Sequence, residues 1–281
     1  MRIDLHTHSV ASDGTDAPAA LMAAAAAAGL DVVALTDHDT TRGWAEAAAA
    51  VPGTGVALVR GAEISCLVDG RMSVHLLSYL HDPTHAGLLA EAERTRAARL
   101  DRARAMVDLI ARDLDLTWED VEAQTVPGTT IGRPHIADAL AAKGHVADRS
   151  AAFATVLAVG SPYYVPHYAP DARTAVRLVR EAGGVPVLAH PGAHVRGRIL
   201  TDAAIGTLVD AGLAGLEVDH RDHDDAQRRR LAGIAAEAGL LVTGSSDYHG
   251  EGKPNLLGER TTSPEALAEI EAQGRLEVVR P

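Results

Sequence analysis

Short apolar runs rich in Val, Ile and Leu recur along the chain, and Ala-rich stretches separate them. Residues 3–5, 31–35 and 56–59 each form a brief continuous apolar segment, the pattern of a buried strand. The segments between them read as helices. Residues 17–29 carry Pro18 in the first turn and Gly29 at the end, the expected helix asymmetry, and a second Ala-rich helix runs to about residue 50. Residues 64–80 predict a hairpin turning at Asp69-Gly70. From residue 83 to 165 the pattern is helical with few strand signals. The alternation then resumes, with strands over 185–189, 215–218 and 240–243 and helices over 171–182, 201–211, 224–238 and 264–273. A short strand over 276–279 ends the series. Roughly seven strands with intervening helices predict an α/β chain closed into a distorted barrel. Residues 1–82 and 166–281 would form that barrel, and residues 83–165 a helical insertion or cap.

The polar residues that close these strands are of one chemical kind. His6 and His8 follow the first strand two residues apart, so in extended backbone both imidazoles point to one side. Alone they make half of a four-coordinate metal site. Thr36-Asp37-His38-Asp39 follows the second strand, Glu63 the third, and His75 lies in the second hairpin arm. Further on come His190 after one strand and Asp247 with His249 after another, while Asp13 sits on the loop Ser12-Asp13-Gly14. Parallel α/β sheets gather their chemistry at the carboxyl ends of the strands. Nine such residues on one face are hard to satisfy as core groups. Buried carboxylates need compensation, and cations supply it. The set suits two or three ions better than one.

Composition narrows the picture. Apolar residues make up 47% of the 281 but aromatics only 3%, which suits close helix–sheet packing rather than a stacking platform for bases. A formal charge of −12 argues against a non-specific nucleic-acid binder. It leaves open an anionic substrate at a site carrying its own metal charge. No apolar run is long enough to span a membrane, and no secretory leader pattern opens the chain, so the expectation is a cytoplasmic protein. The single cysteine, Cys66, reads as a small buried residue.

Taken together, His6-x-His8, Thr36-Asp37-His38-Asp39, Gly61-Ala62-Glu63-Ile64-Ser65, Ala189-His190-Pro191 and Gly244-Ser245-Ser246-Asp247-Tyr248-His249 resemble the motifs of the PHP (polymerase and histidinol phosphatase) family, in the family's order. The resemblance implies a distorted seven-stranded (β/α) barrel with three divalent ions, Mn, Fe or Zn, at its carboxyl-terminal face. Carried over by motif, His6, His8, Glu63 and Asp247 would hold one ion. Glu63, His75 and His190 would hold a second, so that Glu63 bridges, and Asp13, His38 and His249 a third. The helical insertion and Gly132-Arg133-Pro134-His135-Ile136-Ala137 resemble the stand-alone branch of the family. Members of that branch remove the 3′-phosphate of nucleoside 3′,5′-bisphosphates, and some trim the 5′ ends of short RNAs. After Pro166 the chain departs from the branch with His167-Tyr168.

Phosphoester hydrolysis needs a nucleophile at neutral pH and positive charge on the phosphoryl oxygens, and a water bridging clustered divalent ions provides both. Three such ions against Asp13, Glu63 and Asp247 leave about +3. Glu63 and Asp247 are therefore the central candidates. Arg133 and His135 are the candidates for gripping a second, non-reacting phosphate, Arg offering a planar fork. His194 and His223 are candidates for protonating the leaving oxygen or contacting phosphate, and Lys253 for touching substrate. His81, His85, His145 and His220 read as surface or structural residues. Arg94, Arg96, Arg99, Arg102 and Arg104 predict a solvated helix face paired with Glu91, Glu93 and Asp101. The alternative is a basic wall for a polyanionic substrate. The expected partner is thus a small phosphorylated substrate, with short RNA a second one. Histidinol-phosphate phosphatase and a C–N amidohydrolase on the same metals are the competing activities.

Overall fold

The computed structural model describes residues 1–194 and 199–281. Seven strands follow one another around one sheet in chain order: β1 (Ile3–Thr7), β2 (Val32–Leu35), β3 (Ala57–Val68), β4 (Met72–Tyr79), β5 (Val185–Leu188), β6 (Gly215–Asp219) and β7 (Leu241–Gly244). Neighbours are parallel except where β4 runs against both β3 and β5. The ring closes beyond β7, where His8 N–H donates to Tyr248 O at 2.8 Å and Tyr248 N–H to His6 O at 3.3 Å. The fold is the expected α/β barrel, distorted by one reversed strand.

Helices α1 (Pro18–Ala27) and α2 (Trp44–Thr54) follow β1 and β2. The insertion contributes α3 (Ala86–Ile110), α4 (Trp118–Glu122), α5 (Arg133–Ala142) and α6 (Arg149–Ala154). Then come α7 (Ala172–Glu181), α8 (Asp202–Asp210), α9 (Asp225–Ala238) and α10 (Pro264–Gln273). Side chains of Asp171, Thr201, Asp224 and Ser263 cap α7 to α10 by accepting backbone N–H groups of the first turn. Among the described residues no helix is long and apolar enough to cross a membrane.

Period-two alternation sorts the strand residues into layers. Leu77, Tyr79, Val185 and Val187 point into the barrel with Ile3, Leu5 and Val59, and Ile270 of α10 joins them. Leu76, Leu188, Leu216 and Val218 face outward against α7, α8 and α9. This apolar filling is the floor on which the polar residues stand. The insertion has a core of its own, built from Met106, Ile110, Leu116, Val121, Ile136, Leu140 and Leu157. Leu88, at the start of α3, belongs instead to the barrel cluster, so α3 packs against both clusters.

Three sequence expectations change. β3 does not stop at Glu63. It continues to Val68, pairing with β2 as far as Arg60 and with β4 from Gly61, which leaves Glu63 in mid-strand. Residues 276–279 form no strand of the sheet. The edge of β3 left open before Gly61 is met by one residue pair, Leu58 with Val279. Nor do the α3 arginines form an ion-paired solvated face. Arg94 stacks on Tyr168 at 3.7 Å and Arg104 on Trp118 at 4.5 Å, while Arg96 donates to Asp39 O at 2.6 Å and Arg102 to Val165 O at 2.7 Å. Arg99 is only 9% exposed. Tertiary packing against the barrel and the returning segment outweighs the weak helical ion pairs.

Candidate metal centre

Glu63 stands at the middle of the carboxyl-terminal face, and its two oxygens look in different directions. Oε2 lies 3.2 Å from His6 Nε2, 3.1 Å from His8 Nε2 and 3.1 Å from His38 Nδ1. Oε1 lies 2.8 Å from His75 Nδ1 and 3.1 Å from His190 Nε2. Asp247 Oδ1 is 3.5 Å from both His6 and His8. Asp13 places Oδ1 3.3 Å from His249 Nε2 and Oδ2 3.7 Å from His38 Nε2. All nine residues singled out in the sequence therefore meet in one place.

Three overlapping groups have ligand atoms mutually close enough to share an ion: His6, His8, Glu63 and Asp247; His8, Asp13, His38 and His249; and His38, Glu63 and His75. The grouping differs from the motif-based sets in giving His8 and His38 to two groups each, and in placing His38 rather than His190 with Glu63 and His75; His190 Nε2 still lies 3.1 Å from Glu63 Oε1.

Several of these atoms lack hydrogen-bond partners. Asp13 Oδ1, His38 Nδ1, His75 Nδ1 and His249 Nε2 are buried without one. Orphaned buried polar atoms are costly unless something else satisfies them. A cation fits every one of these donors. The tautomers agree, because His6 Nδ1–H donates to Glu217 at 3.0 Å and His249 Nδ1–H to Asp247 O at 2.8 Å. Each thereby turns an Nε2 lone pair toward the cluster, the usual arrangement behind metal-bound histidine.

Electrostatics follow from the crowding. Burial opposes ionisation of Glu63 and Asp13, but the surrounding imidazoles outweigh it and hold both carboxyls well below their usual range. Burial likewise opposes the imidazoliums of His6 and His8. Glu63, Glu217 and Asp247 nevertheless push His6 well upward, and Asp247 and Glu63 raise His8 to about 9. Burial keeps His38 well below its ordinary value, and burial with Lys253 and His8 lowers His249 to about 4.

The supports of the cluster come from far along the chain. Glu217, fully buried on β6, accepts from His6 Nδ1–H, from His190 N–H at 2.7 Å and from the Ser245 hydroxyl. The Asp13 loop is fixed from two sides. Asp37 accepts from Ser9 N–H at 2.8 Å and from the hydroxyls of Ser9 and Ser12. The insertion holds four successive carbonyls: Thr129 Oγ1–H donates to Val10 O, Thr130 N–H to Ala11 O, His135 Nε2–H to Ser12 O and Arg149 to Asp13 O. Gly14 must be glycine here, since a Cβ would stand 2.3 Å from His8 O.

The remaining sequence candidates fall in different places. Lys253 is at the centre, its Nζ 2.9 Å from Asp247 Oδ2. His194 is exposed beside Gln227. His135 has both nitrogens engaged by backbone, accepting from Gly132 N–H at 3.1 Å and donating to Ser12 O at 2.9 Å. In this geometry it braces a loop and presents no free nitrogen to a phosphate. His223 is also engaged on both sides, donating to Val218 O and accepting from Gly192 N–H at 3.0 Å. It holds the turn after His190. Arg133 stacks between Phe153 and Tyr164, 5.0 and 5.8 Å from their ring centres. Two residues were missed. Glu217 is one, and His220 the other: it is fully buried, with Nε2 3.7 Å from Asp247 Oδ2, rather than a peripheral residue. A lone carboxylate between Leu216 and Val218, in an otherwise apolar strand, was the available signal for Glu217.

Comparison with known proteins agrees with this geometry. The PHP domain model matches residues 4–101. The chain is 36% identical over 252 residues to the 3′,5′-nucleoside bisphosphate phosphatase of Chromobacterium violaceum, covering 89% of this chain and 88% of that protein. It is 32% identical over 255 residues to a 5′-3′ exoribonuclease of Haemophilus influenzae, covering 88% and 90%. A crystal structure from Bifidobacterium adolescentis superposes with a TM-score of 0.95 at 45% identity, covering 97% of this chain and 96% of that one.

Proposed function

The chain belongs to the PHP family of metal-dependent phosphoesterases, and from that premise we propose that it removes the 3′-phosphate of nucleoside 3′,5′-bisphosphates, with the 5′ ends of short RNA as a second substrate. The observation that carries the reading is Glu63, whose two oxygens face two different sets of imidazoles. That is how a carboxylate bridging two ions is placed. We assign one ion to His6, His8, Glu63 and Asp247, a second to Glu63, His75 and His190, and a third to Asp13, His38 and His249. When bound, the ions supply Lewis acidity and an activated water at neutral pH.

The chain's own residues do the rest. Glu217 fixes the tautomer of His6 and the backbone of His190. Lys253, beside Asp247, adds a positive charge where phosphoryl oxygens would lie. His194 is exposed after β5, and we assign it contact with the leaving group. Identity to a bisphosphate phosphatase along nearly the whole chain supports the substrate choice. The test is phosphate release by protein purified with Mn, from adenosine 3′,5′-bisphosphate, histidinol phosphate and an aryl phosphate, with an amide panel alongside. Turnover of the bisphosphate no faster than of the aryl phosphate refutes the nucleotide assignment. Faster turnover of histidinol phosphate or of an amide replaces it with that activity.

A further inference from the structure

His220 follows β6 and is fully buried beside the metal centre, yet half of its ring has no partner. Nδ1 accepts from Asp222 N–H at 3.1 Å, which puts the ring proton on Nε2. That Nε2–H makes no hydrogen bond among the described residues, and it is closed to water. A buried donor left without a bond is costly, so its presence calls for an acceptor. Its neighbours hold the ring where it is. His223 N–H donates to His220 O at 3.1 Å and Arg228 to the same carbonyl at 3.3 Å. The rings of His190 and His223 crowd it, 5.4 and 5.5 Å away between centres.

The acceptor it faces is Asp247 Oδ2, 3.7 Å away. An ordinary bond of this kind spans about 2.9 Å, so a shift of under ~1 Å would close it. The same oxygen takes the Lys253 ammonium at 2.9 Å. These two donors differ in access. The Lys253 side chain is 28% exposed, while that of His220 is wholly buried. Asn255 ties the Lys253 loop to the Asp247 turn, its Nδ2–H donating to Ser246 O at 2.6 Å. Asp247 itself sits in left-handed backbone, φ 53°, which few side chains adopt. Its Oδ1 faces His6 and His8 at 3.5 Å. With that oxygen committed to the ion, the carboxylate keeps its aim only while something holds the other.

We propose that His220 is a positioning residue for Asp247, a reserve donor that closes on Oδ2 when Lys253 turns to a phosphoryl oxygen. Lys253 can then serve substrate without loosening the ligand that Asp247 supplies. Burial suits His220 to this task and keeps it from touching substrate, since Nε2 has no contact with solvent. This rests on the reading above of Asp247 as a metal ligand and of Lys253 as the cation that meets phosphate.

The experiment reads the effect of His220→Phe on Mn affinity twice, in wild type and in Lys253→Met, by competition with a fluorescent chelator. Making the same substitution in two backgrounds cancels the loss of the lysine charge. In wild type the effect should stay within about threefold, because Lys253 still holds Oδ2. In Lys253→Met it should reach about 10- to 100-fold, the range for a group that orients a metal ligand. Saturating inorganic phosphate should move the wild-type effect toward the larger value. His220→Gln keeps an N–H at the reach of Nε2 and should restore affinity in Lys253→Met, whereas the shorter His220→Asn should not. That pair decides the matter if circular dichroism shows that metal-free His220→Phe does not fold. Equal effects of His220→Phe in the two backgrounds, or equal affinities of the Gln and Asn variants, overturn the exchange of donors. Failure of the underlying reading looks different. Mn-loaded Lys253→Met that binds inorganic phosphate as tightly as wild type overturns the exchange together with the phosphate role of Lys253. Where phosphate binding does weaken, equal effects of His220→Phe overturn the exchange alone.

Discussion

Replacing Glu217 with Gln removes one negative charge from beneath the metal centre while keeping the side-chain volume. The carboxylate accepts three hydrogen bonds, from His6 Nδ1–H at 3.0 Å, His190 N–H at 2.7 Å and the Ser245 hydroxyl. An amide offers one oxygen and one NH2, so either His6 or His190 must face a donor. One charge-assisted bond is lost, about 1.5–3 kcal/mol. The loss falls on the orientation of two histidines that the proposal assigns to different ions, and the expected weakening is about 10- to 100-fold in metal affinity, the scale usual for partners that orient metal-bound histidines. Competition for Mn against a fluorescent chelator at near-neutral pH measures it directly. Metal-free Glu217→Gln should still fold, as shown by its circular dichroism. Affinity within about threefold of wild type would refute the role given to Glu217.

Glu63→Gln should remove more than one equivalent of bound metal, measured by elemental analysis after gel filtration; loss of one equivalent or none would place Glu63 in a single ion's shell. Arg149→Met should cost about 2 kcal/mol in urea unfolding, because it breaks the paired bonds to Asp138 and the bond to Asp13 O. It should also weaken one ion selectively, and equal occupancy of all ions would contradict the coupling of this arginine to Asp13. Metal-free and metal-loaded protein should respond oppositely to pH. The raised His8 stabilises the metal-free fold fully below its ordinary value of 6.5, and that stabilisation is lost as pH rises to about 9. Metal needs the neutral imidazole, so over the same range affinity should rise up to about tenfold per pH unit for each proton displaced. Melting curves that move in parallel with and without Mn would overturn this.

The strands and the nine ligand candidates were legible because both rest on local signals: brief apolar runs, and side chains of metal-binding type at their ends. The rule about carboxyl ends does not explain His75. It sits in the first half of β4, and because β4 is reversed, its beginning lies on the face where parallel strands finish. Residue type could not separate ligands from braces. His135 and Ser12 are 123 positions apart, and only the folded chain reveals that this imidazole is consumed by a carbonyl. The α3 arginines misled for the same reason. Helical spacing sees Glu91 and Glu93 but not Asp39, Tyr164 or Val165, which are brought to them by the fold.

The grip of the insertion on four successive carbonyls ties together two equilibria that would otherwise be separate. Arg133 and His135 are two residues apart at the start of one helix; the first packs on Phe153 and Tyr164, and the second holds the loop that carries Asp13. Whatever orders that helix start also orders Asp13. Linkage is reciprocal for binding free energies. A phosphate held at Arg133 would therefore strengthen metal binding at Asp13 by the same factor by which that metal would strengthen phosphate binding.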